Sequence, residues 1–284
     1  MLEVNITHLR SLSTIKKNLE IGRLGSSFLL KSIGSKLLTI HNSLLHSKSL
    51  EYFGYNILSE GRFHTCFTID TEIKLLKKLN LDPQLDKLMG LTTNQSKMIM
   101  KLEKYIERKG ILTKDELEMI SGYVFVNTDC FNLASIPHSM GLIFIGKNFW
   151  KLNVEDMVIS ICHELGHQDL FLINTIDRIV AVNFDKRICF APLQKRNRPP
   201  IGRIHSYFAL HRMLLASLYL KNTLRAKQYE NLFNLTYNTF VSKELTAFGE
   251  DLIKLMHNSI VQKNLTRAKD GFSFMESINA TLFF

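Results

Sequence analysis

The sequence predicts an α+β fold that is predominantly α-helical, with a small β-sheet beside one long apolar helix. Apolar residues recur at helical spacing through most of the chain. Residues 123–126 and 142–145 are short runs of β-branched and aromatic residues, which are typical of strands. Asn153 then fits the cap of a largely apolar helix that extends to about residue 174. With 45% hydrophobic and 22% charged residues, the chain has the composition of a globular protein that can bury a core.

Composition and missing signatures narrow the class of protein. The formal net charge is +10, but the sequence has no zinc-knuckle, helix-turn-helix or RNP-type signature, so no nucleic-acid partner is expected. No run of about eighteen apolar residues predicts a membrane span. The four cysteines form no CxxC pair, and the N-terminal residues lack the features of a signal peptide. A cytoplasmic protein in a reducing compartment is therefore expected.

The strongest chemical signal is the HExxH motif formed by His163, Glu164 and His167. On a helical wheel the two histidines lie about 40° apart, so both imidazoles project from one narrow polar stripe. Imidazoles four residues apart on a helix can share one divalent metal ion, and Glu164 lies beside them as a candidate catalytic residue. The alternative is a pair of core histidines, each satisfied by a hydrogen bond. A zincin-like active-site helix beside a small sheet is the prediction.

The third ligand is not given by a known zinc-peptidase pattern. A metzincin needs Gly and His where this chain has Leu170 and Ile173, so that family is excluded. A gluzincin needs a later glutamate, and the first ones after the motif are distant: Glu230, Glu244 and Glu250. Asp177 and Asp185 are nearer, but neither belongs to a recognisable motif.

His205 is the preferred third ligand. It lies on a helix predicted to begin at Pro199-Pro200, after a basic, proline-containing loop over residues 183–200. Gly202 on the same helix allows a neighbouring helix to approach closely. A lone histidine on such a helix can also be structural, and His211, which faces another direction, is interpreted in that way.

These motifs occur in an order that resembles a known enzyme family. The segments are His163-Glu-Leu-Gly-His167, Phe190-Ala-Pro192, Arg198-Pro199 and Gly202-Arg-Ile-His205 followed by Ser-Tyr-Phe-Ala. Together they resemble the HExxH-type 2-oxoglutarate-dependent peptide β-hydroxylases that are encoded with ribosomally made, post-translationally modified peptides. The resemblance covers about residues 130–220, and Leu193 departs from it because the family has Trp after Ala-Pro.

The resemblance implies Fe(II), rather than Zn(II), held by His163, His167 and His205. It also implies 2-oxoglutarate and O₂ as co-substrates of this dioxygenase, and a ribosomally made precursor peptide as the partner that is hydroxylated. The distal carboxylate of 2-oxoglutarate needs a cation, for which Arg198 is the first choice and Arg212 the second. An ordinary charged residue in a basic loop is the alternative for Arg198.

Two regions of the sequence differ in their predicted elements and motifs, although no linker separates them. Residues 1–120 predict a helical N-terminal region that serves as scaffold or recognises substrate, and residues 121–284 predict the metal-binding catalytic region. Two further helices are expected, over about 223–241 and 243–264. Because no Pro-rich or Gly/Ser-rich segment separates the parts, one compact unit is expected.

Two other functions stay open at this stage. One is a zinc-dependent metallopeptidase with Glu164 as general base. The other is a binding protein that keeps the helix without turnover. In either enzyme, strand 142–145 is expected to align an extended peptide by β-augmentation. The sequence indicates neither the substrate peptide nor the oligomeric state.

Overall fold

The computed structural model describes residues 50–52, 55–59, 65–67, 69–112, 114–117, 120, 122–139, 141–176, 178–181 and 188–261. Residues 1–49 of the N-terminal region predicted to be helical lie outside the described residues, as do Asp177 and Asp185. Within the described part the chain is mostly helical and includes a small mixed sheet, as an α+β fold does. No helix in that part is both long enough and apolar enough to span a membrane.

The described secondary-structure elements are numbered in chain order. The strands are β1 (Leu50–Tyr52), β2 (Tyr55–Ser59), β3 (Thr65–Phe67), β4 (Leu88–Met89), β5 (Gly122–Val126), β6 (Leu133–Ala134), β7 (Leu142–Ile145), β8 (Cys189–Ala191) and β9 (Arg196–Arg198). The helices are α1 (Ile69–Lys78), α2 (Thr93–Arg108), α3 (Lys114–Leu117), α4 (Val154–Ile176), α5 (Pro200–Tyr219), α6 (Thr223–Tyr237) and α7 (Ala247–Val261). The predicted strands are thus β5 and β7, and the predicted metal-binding helix is α4.

The elements form two compact units, and the boundary between them falls inside α4, after Gln168. The first unit contains the described residues up to Gln168, and the second contains those from Asp169 onward. The roles predicted for residues 1–120 and 121–284 stay predictions. Strands β1 to β3, an antiparallel sheet in the first unit, are not indicated by the sequence pattern.

The second sheet of the first unit has the order β4-β5-β7-β6. Strands β5 and β7 are parallel, with Val124 opposite Phe144, while β4 and β6 are antiparallel to their neighbours. One face of this sheet packs on apolar side chains of α1, among them Leu75 and Leu76. All four residues of β7 are fully buried, as expected for a strand that is paired on both sides.

The position of β7 corrects one prediction. Strand 142–145 was expected to pair with an extended peptide, but β5 occupies one of its edges and β6 the other. Its main-chain groups are therefore already hydrogen-bonded, and β-augmentation at this strand is wrong. The sequence could not show this, because β6 is only two residues long and carries no strand pattern of its own.

Helix α4 is fixed at both ends of its first-unit portion. At the start, the side chain of Asn153 accepts a hydrogen bond from the Asp156 N–H at 2.9 Å, and its amide donates to the Asp156 carboxylate at 2.9 Å. Asn153 therefore caps the helix, as predicted, with Asp156 as its partner. Further along, the buried amide of Gln168 accepts from the Gly141 N–H at 2.7 Å and donates to the Leu142 carbonyl at 3.3 Å. These bonds set the rotation of α4 against β7.

In the second unit, three helices pack through stacked aromatic rings. Tyr207 of α5 stacks on Phe233 of α6 with centroids 4.1 Å apart, and Tyr237 of α6 stacks on His257 of α7 at 3.8 Å. A fully buried ion pair lies at the same junction, where Arg203 Nη2 is 2.6 Å from Glu244 Oε2. Arg203 also donates to the Thr239 carbonyl. The predicted helices after residue 222 are confirmed as α6 and α7.

The segment predicted as a basic loop, 183–200, contains a β-hairpin in its described part. Strands β8 and β9 pair with Ala191 opposite Arg196, and Lys195 turns the chain with a φ of 50°. Strands of three residues, Cys-Phe-Ala in β8 and Arg-Asn-Arg in β9, are too short to show an alternating pattern, so sequence periodicity does not reveal them. The hairpin holds Arg198 directly before α5, whose helical start at Pro200 is as predicted.

We expect Glu244→Ala to lower the free energy of unfolding by about 3–5 kcal/mol, because it leaves the buried Arg203 charge unpaired. Lys254→Ala is the matched control, since it breaks the solvent-exposed Lys254–Glu250 pair. Urea unfolding of the two variants measures the difference. Equal effects of the two substitutions would contradict the assigned role of the buried pair.

Candidate metal centre

The two histidines of the motif face each other on α4. Their Nε2 atoms are 3.1 Å apart, and their rings meet edge to face with centroids 4.8 Å apart. Two imidazole nitrogens bound at about 2.0–2.2 Å to one ion are separated by about 3 to 3.5 Å. The observed separation between His163 and His167 thus fits shared coordination without a change of backbone.

Burial also favours the protonation state that a ligand needs. It lowers the pKa of His163 to about 4, so this imidazole is neutral at neutral pH. Metal coordination requires a neutral imidazole with a free nitrogen lone pair. The His163 side chain keeps 28% of its exposure, so an ion at Nε2 would not lie in a sealed cavity.

Glu164 completes a group of three possible ligands. The ligand atoms of His163, Glu164 and His167 all lie within 4.8 Å of one another. Glu164 is almost fully buried, with Oε1 3.9 Å from His163 Nε2, and its Oε2 has no hydrogen-bond partner. A buried carboxylate oxygen without a partner is costly, and a bound cation nearby would offset that cost. The residues present therefore fit a metal ion.

The environment of Glu164 is apolar enough to change its titration. Burial raises the pKa of its carboxyl to about 7, and the hydroxyl of Ser135 opposes this shift only in part. Ser135 follows strand β6, which brings it to Glu164 from 29 residues earlier in the sequence. Neither Ser135 nor Gln168 was predicted as part of the site. A polar Gln168 in an apolar helix is a signal that could have been used, whereas an isolated serine carries none.

The other predicted ligand, His205, belongs to the second unit. It is half-buried on α5, and its ring lies 5.3 Å from the ring of Phe171. His211, interpreted from the sequence as structural, is buried with its ring 5.9 Å from that of Phe233. His205 as the third metal ligand stays a prediction.

Arg198 is half-buried at the end of β9, and its side chain has no hydrogen bond or ion pair within the described residues. Its side chain folds over Gly202, where an added Cβ would lie 2.9 Å from Nε. Gly202 therefore makes the room in which this guanidinium lies. Burial, together with the charge of Arg196, lowers the pKa of Arg198.

Arg212, the second predicted partner of the 2-oxoglutarate carboxylate, differs from Arg198 because its side chain already has a partner. It is buried on α5, and its Nε donates to Asp169 Oδ2 at 2.6 Å. Asp169 is itself fully buried. The charge of Arg212 is thus compensated by a carboxylate of its own unit, whereas that of Arg198 is not.

The glutamates that a zinc peptidase of the gluzincin type would need are placed as follows. Glu244 is fully buried in its pair with Arg203, and Glu250 bonds to Lys254. Glu230 is exposed on α6. The carboxylates of Glu244 and Glu250 are thus engaged by cations.

No protein-family model matches this sequence, and no curated protein matches it significantly.

We expect His163→Ala and His167→Ala each to weaken binding of a divalent metal ion by at least about 100-fold, because each removes one of the two facing nitrogens. Equilibrium dialysis of the full-length protein against Co(II) measures this. His257→Ala is the control, since that histidine stacks on Tyr237 in the second unit. Metal affinity retained in both motif variants would contradict the site.

Proposed function

We propose that this protein is an Fe(II)- and 2-oxoglutarate-dependent dioxygenase that hydroxylates a β-carbon in a ribosomally made precursor peptide. The observation that carries the metal site is the 3.1 Å separation of the two Nε2 atoms on α4. The choice of iron and 2-oxoglutarate rests on the sequence segments that follow the motif, namely Phe190-Ala-Pro192, Arg198-Pro199 and Gly202 to His205.

In this function, His163, His167 and His205 hold the metal. A set of three protein ligands leaves coordination positions for a bidentate 2-oxo acid and O₂. When bound, the iron would supply the oxidation of an unactivated C–H bond. In this reaction 2-oxoglutarate and O₂ are converted to succinate and CO₂ as the hydroxyl group is formed. Glu164 transfers no proton in this scheme. Its buried carboxyl lies beside the two imidazoles, and a bound cation would favour its ionised form over the protonated form that burial favours.

Arg198 is the proposed partner of the distal carboxylate of 2-oxoglutarate. Its support is physical, because this half-buried guanidinium pairs with no carboxylate of the described residues and can bind an incoming anion. Arg212 is less suited, since its Nε already donates to Asp169. A planar guanidinium can bind a carboxylate through two parallel hydrogen bonds.

One observation favours the alternative of a zinc metallopeptidase. The unpartnered Oε2 of Glu164 lies in the group that would hold the ion, where a general base would be needed. Against this alternative, the carboxylates of Glu244 and Glu250 are engaged by cations. A zincin-like arrangement around α4 is common to both functions and is part of the proposal.

Metal analysis combined with turnover separates these functions. We expect the purified protein to bind one Fe(II) and to form succinate in an O₂-dependent reaction with 2-oxoglutarate. Glu164→Gln should retain succinate formation, since the carboxylate moves no proton. Stoichiometric zinc together with peptide cleavage that Glu164→Gln abolishes would instead identify a peptidase. A protein that binds no metal, and whose function survives His163→Ala, would be a binding protein.

For Arg198→Ala we expect the KM for 2-oxoglutarate to rise by roughly 10–100-fold, because a charge-assisted hydrogen bond contributes about 1.5–3 kcal/mol. Arg196→Ala removes an exposed charge two residues earlier on β9 and is the matched control. Initial rates over a range of 2-oxoglutarate concentrations measure both. If the two variants behave alike, Arg198 acts only through the net charge of the hairpin.

A further inference from the structure

Strand β6 is one end of the four-stranded sheet, and no strand among the described residues pairs with its outer edge. On its inner side, the Gly146 N–H donates to the Asn132 carbonyl at 2.8 Å, and Ala134 lies opposite Phe144 in β7. Because main-chain direction alternates along a strand, the N–H and C=O of Leu133 point away from β7. Those of Ser135 continue the same alternation. In the described part of the chain, no hydrogen bond uses the outward groups of either residue.

At the opposite end of this sheet, an outward main-chain group of β4 has a hydrogen-bond partner. The Lys87 carbonyl accepts from Asn127, so the next residue, Leu88, turns its N–H outward at the β4 edge. That N–H is satisfied by the carboxylate of Glu72 at 2.8 Å. Natural sheets also protect their edges with charged residues, yet residues 131–136 around β6 carry no charge. Within the described part of the chain, the outward main-chain groups of β6 are thus without a partner, whereas the outward N–H of Leu88 on β4 has one.

The outer edge of β6 leads to the candidate metal centre. Ala134 packs on the core shared with α1, so its neighbours along the chain face the other side of the sheet. There the hydroxyl of Ser135 lies near enough to Glu164 to lower the pKa of its carboxyl, and Glu164 belongs to the same group of possible ligands as the two histidines of the motif. A chain paired with Leu133 and Ser135 would thus pass beside the His–Glu–His group, and all of these residues belong to the first unit.

We propose that an extended segment of the peptide substrate pairs with the β6 edge through the main-chain groups of Leu133 and Ser135. The assignment of this segment as the substrate rests on the proposed function. Donors and acceptors two residues apart on one edge match another extended main chain, which repeats at the same spacing. Such pairing holds many peptide sequences and places every second side chain toward the face that carries Glu164.

The test uses binding rather than turnover. Random twelve-residue peptides displayed on phage are selected on the full-length protein, and the enriched peptides are labelled for fluorescence anisotropy. Leu133→Pro removes the outward N–H and should weaken binding by about tenfold or more, while Leu133→Ala keeps it and should stay within about threefold. An N-methyl scan of one enriched peptide against the wild-type protein should reduce binding at every second residue.

If the Leu133→Pro variant does not fold, the N-methyl scan still tests the proposal, because it leaves the protein unchanged. The edge assignment is overturned if no peptide is enriched, if folded Leu133→Pro binds normally, or if the scan lacks the two-residue period. It is also overturned if the edge joins two copies of this chain, seen as a dimer that Leu133→Pro dissociates. If peptide binding depends on Leu133 but the protein binds no iron and forms no succinate, only the proposed oxygenase function is refuted. If the protein binds iron and forms succinate but peptide binding does not depend on Leu133, only the proposed pairing at the β6 edge is refuted.

Discussion

The rotation of α4 about its own axis is the constraint on which the candidate site depends. Buried apolar residues cover most of the helix surface, and the two bonds of Gln168 to Gly141 and Leu142 hold it against β7. With the helix held in this way, His163 and His167 share one half-buried stripe with their Nε2 atoms in contact. Rotation that buried the stripe would close both imidazoles to an ion, whereas rotation that exposed it would remove the burial that lowers the pKa of His163.

Two neighbouring strands of the sheet that positions α4, β7 and β6, differ in their pairing. Strand β7 is buried and paired on both sides, so it can only support the helix. The two-residue strand β6 closes the sheet on that side and presents its outer main chain beside Ser135 and Glu164. Strand 142–145 was expected to align the substrate; in our proposal β7 supports the helix and β6 aligns the substrate.

The features that could be predicted from the sequence are those that appear as local patterns. Spacing alone places His163 and His167 on one helix face, and β-branched runs identify β5 and β7, because these signals depend on neighbours in the chain. Strand β6, Ser135 and the pairing of Arg212 with Asp169 depend on residues 10 to 43 positions apart. Arg198 and Arg212 look equivalent in the sequence, and only burial and partners in the fold distinguish them.

X-ray absorption at the metal edge tests the central claim most directly, because it reports the ligands around the ion itself. We expect Fe(II)-loaded protein to show imidazole scattering from at least two histidines, with nitrogen atoms at about 2.1 Å. A third imidazole would add His205 to the pair. A shell made of oxygen atoms alone, without imidazole scattering, would contradict the assignment of His163 and His167 as ligands.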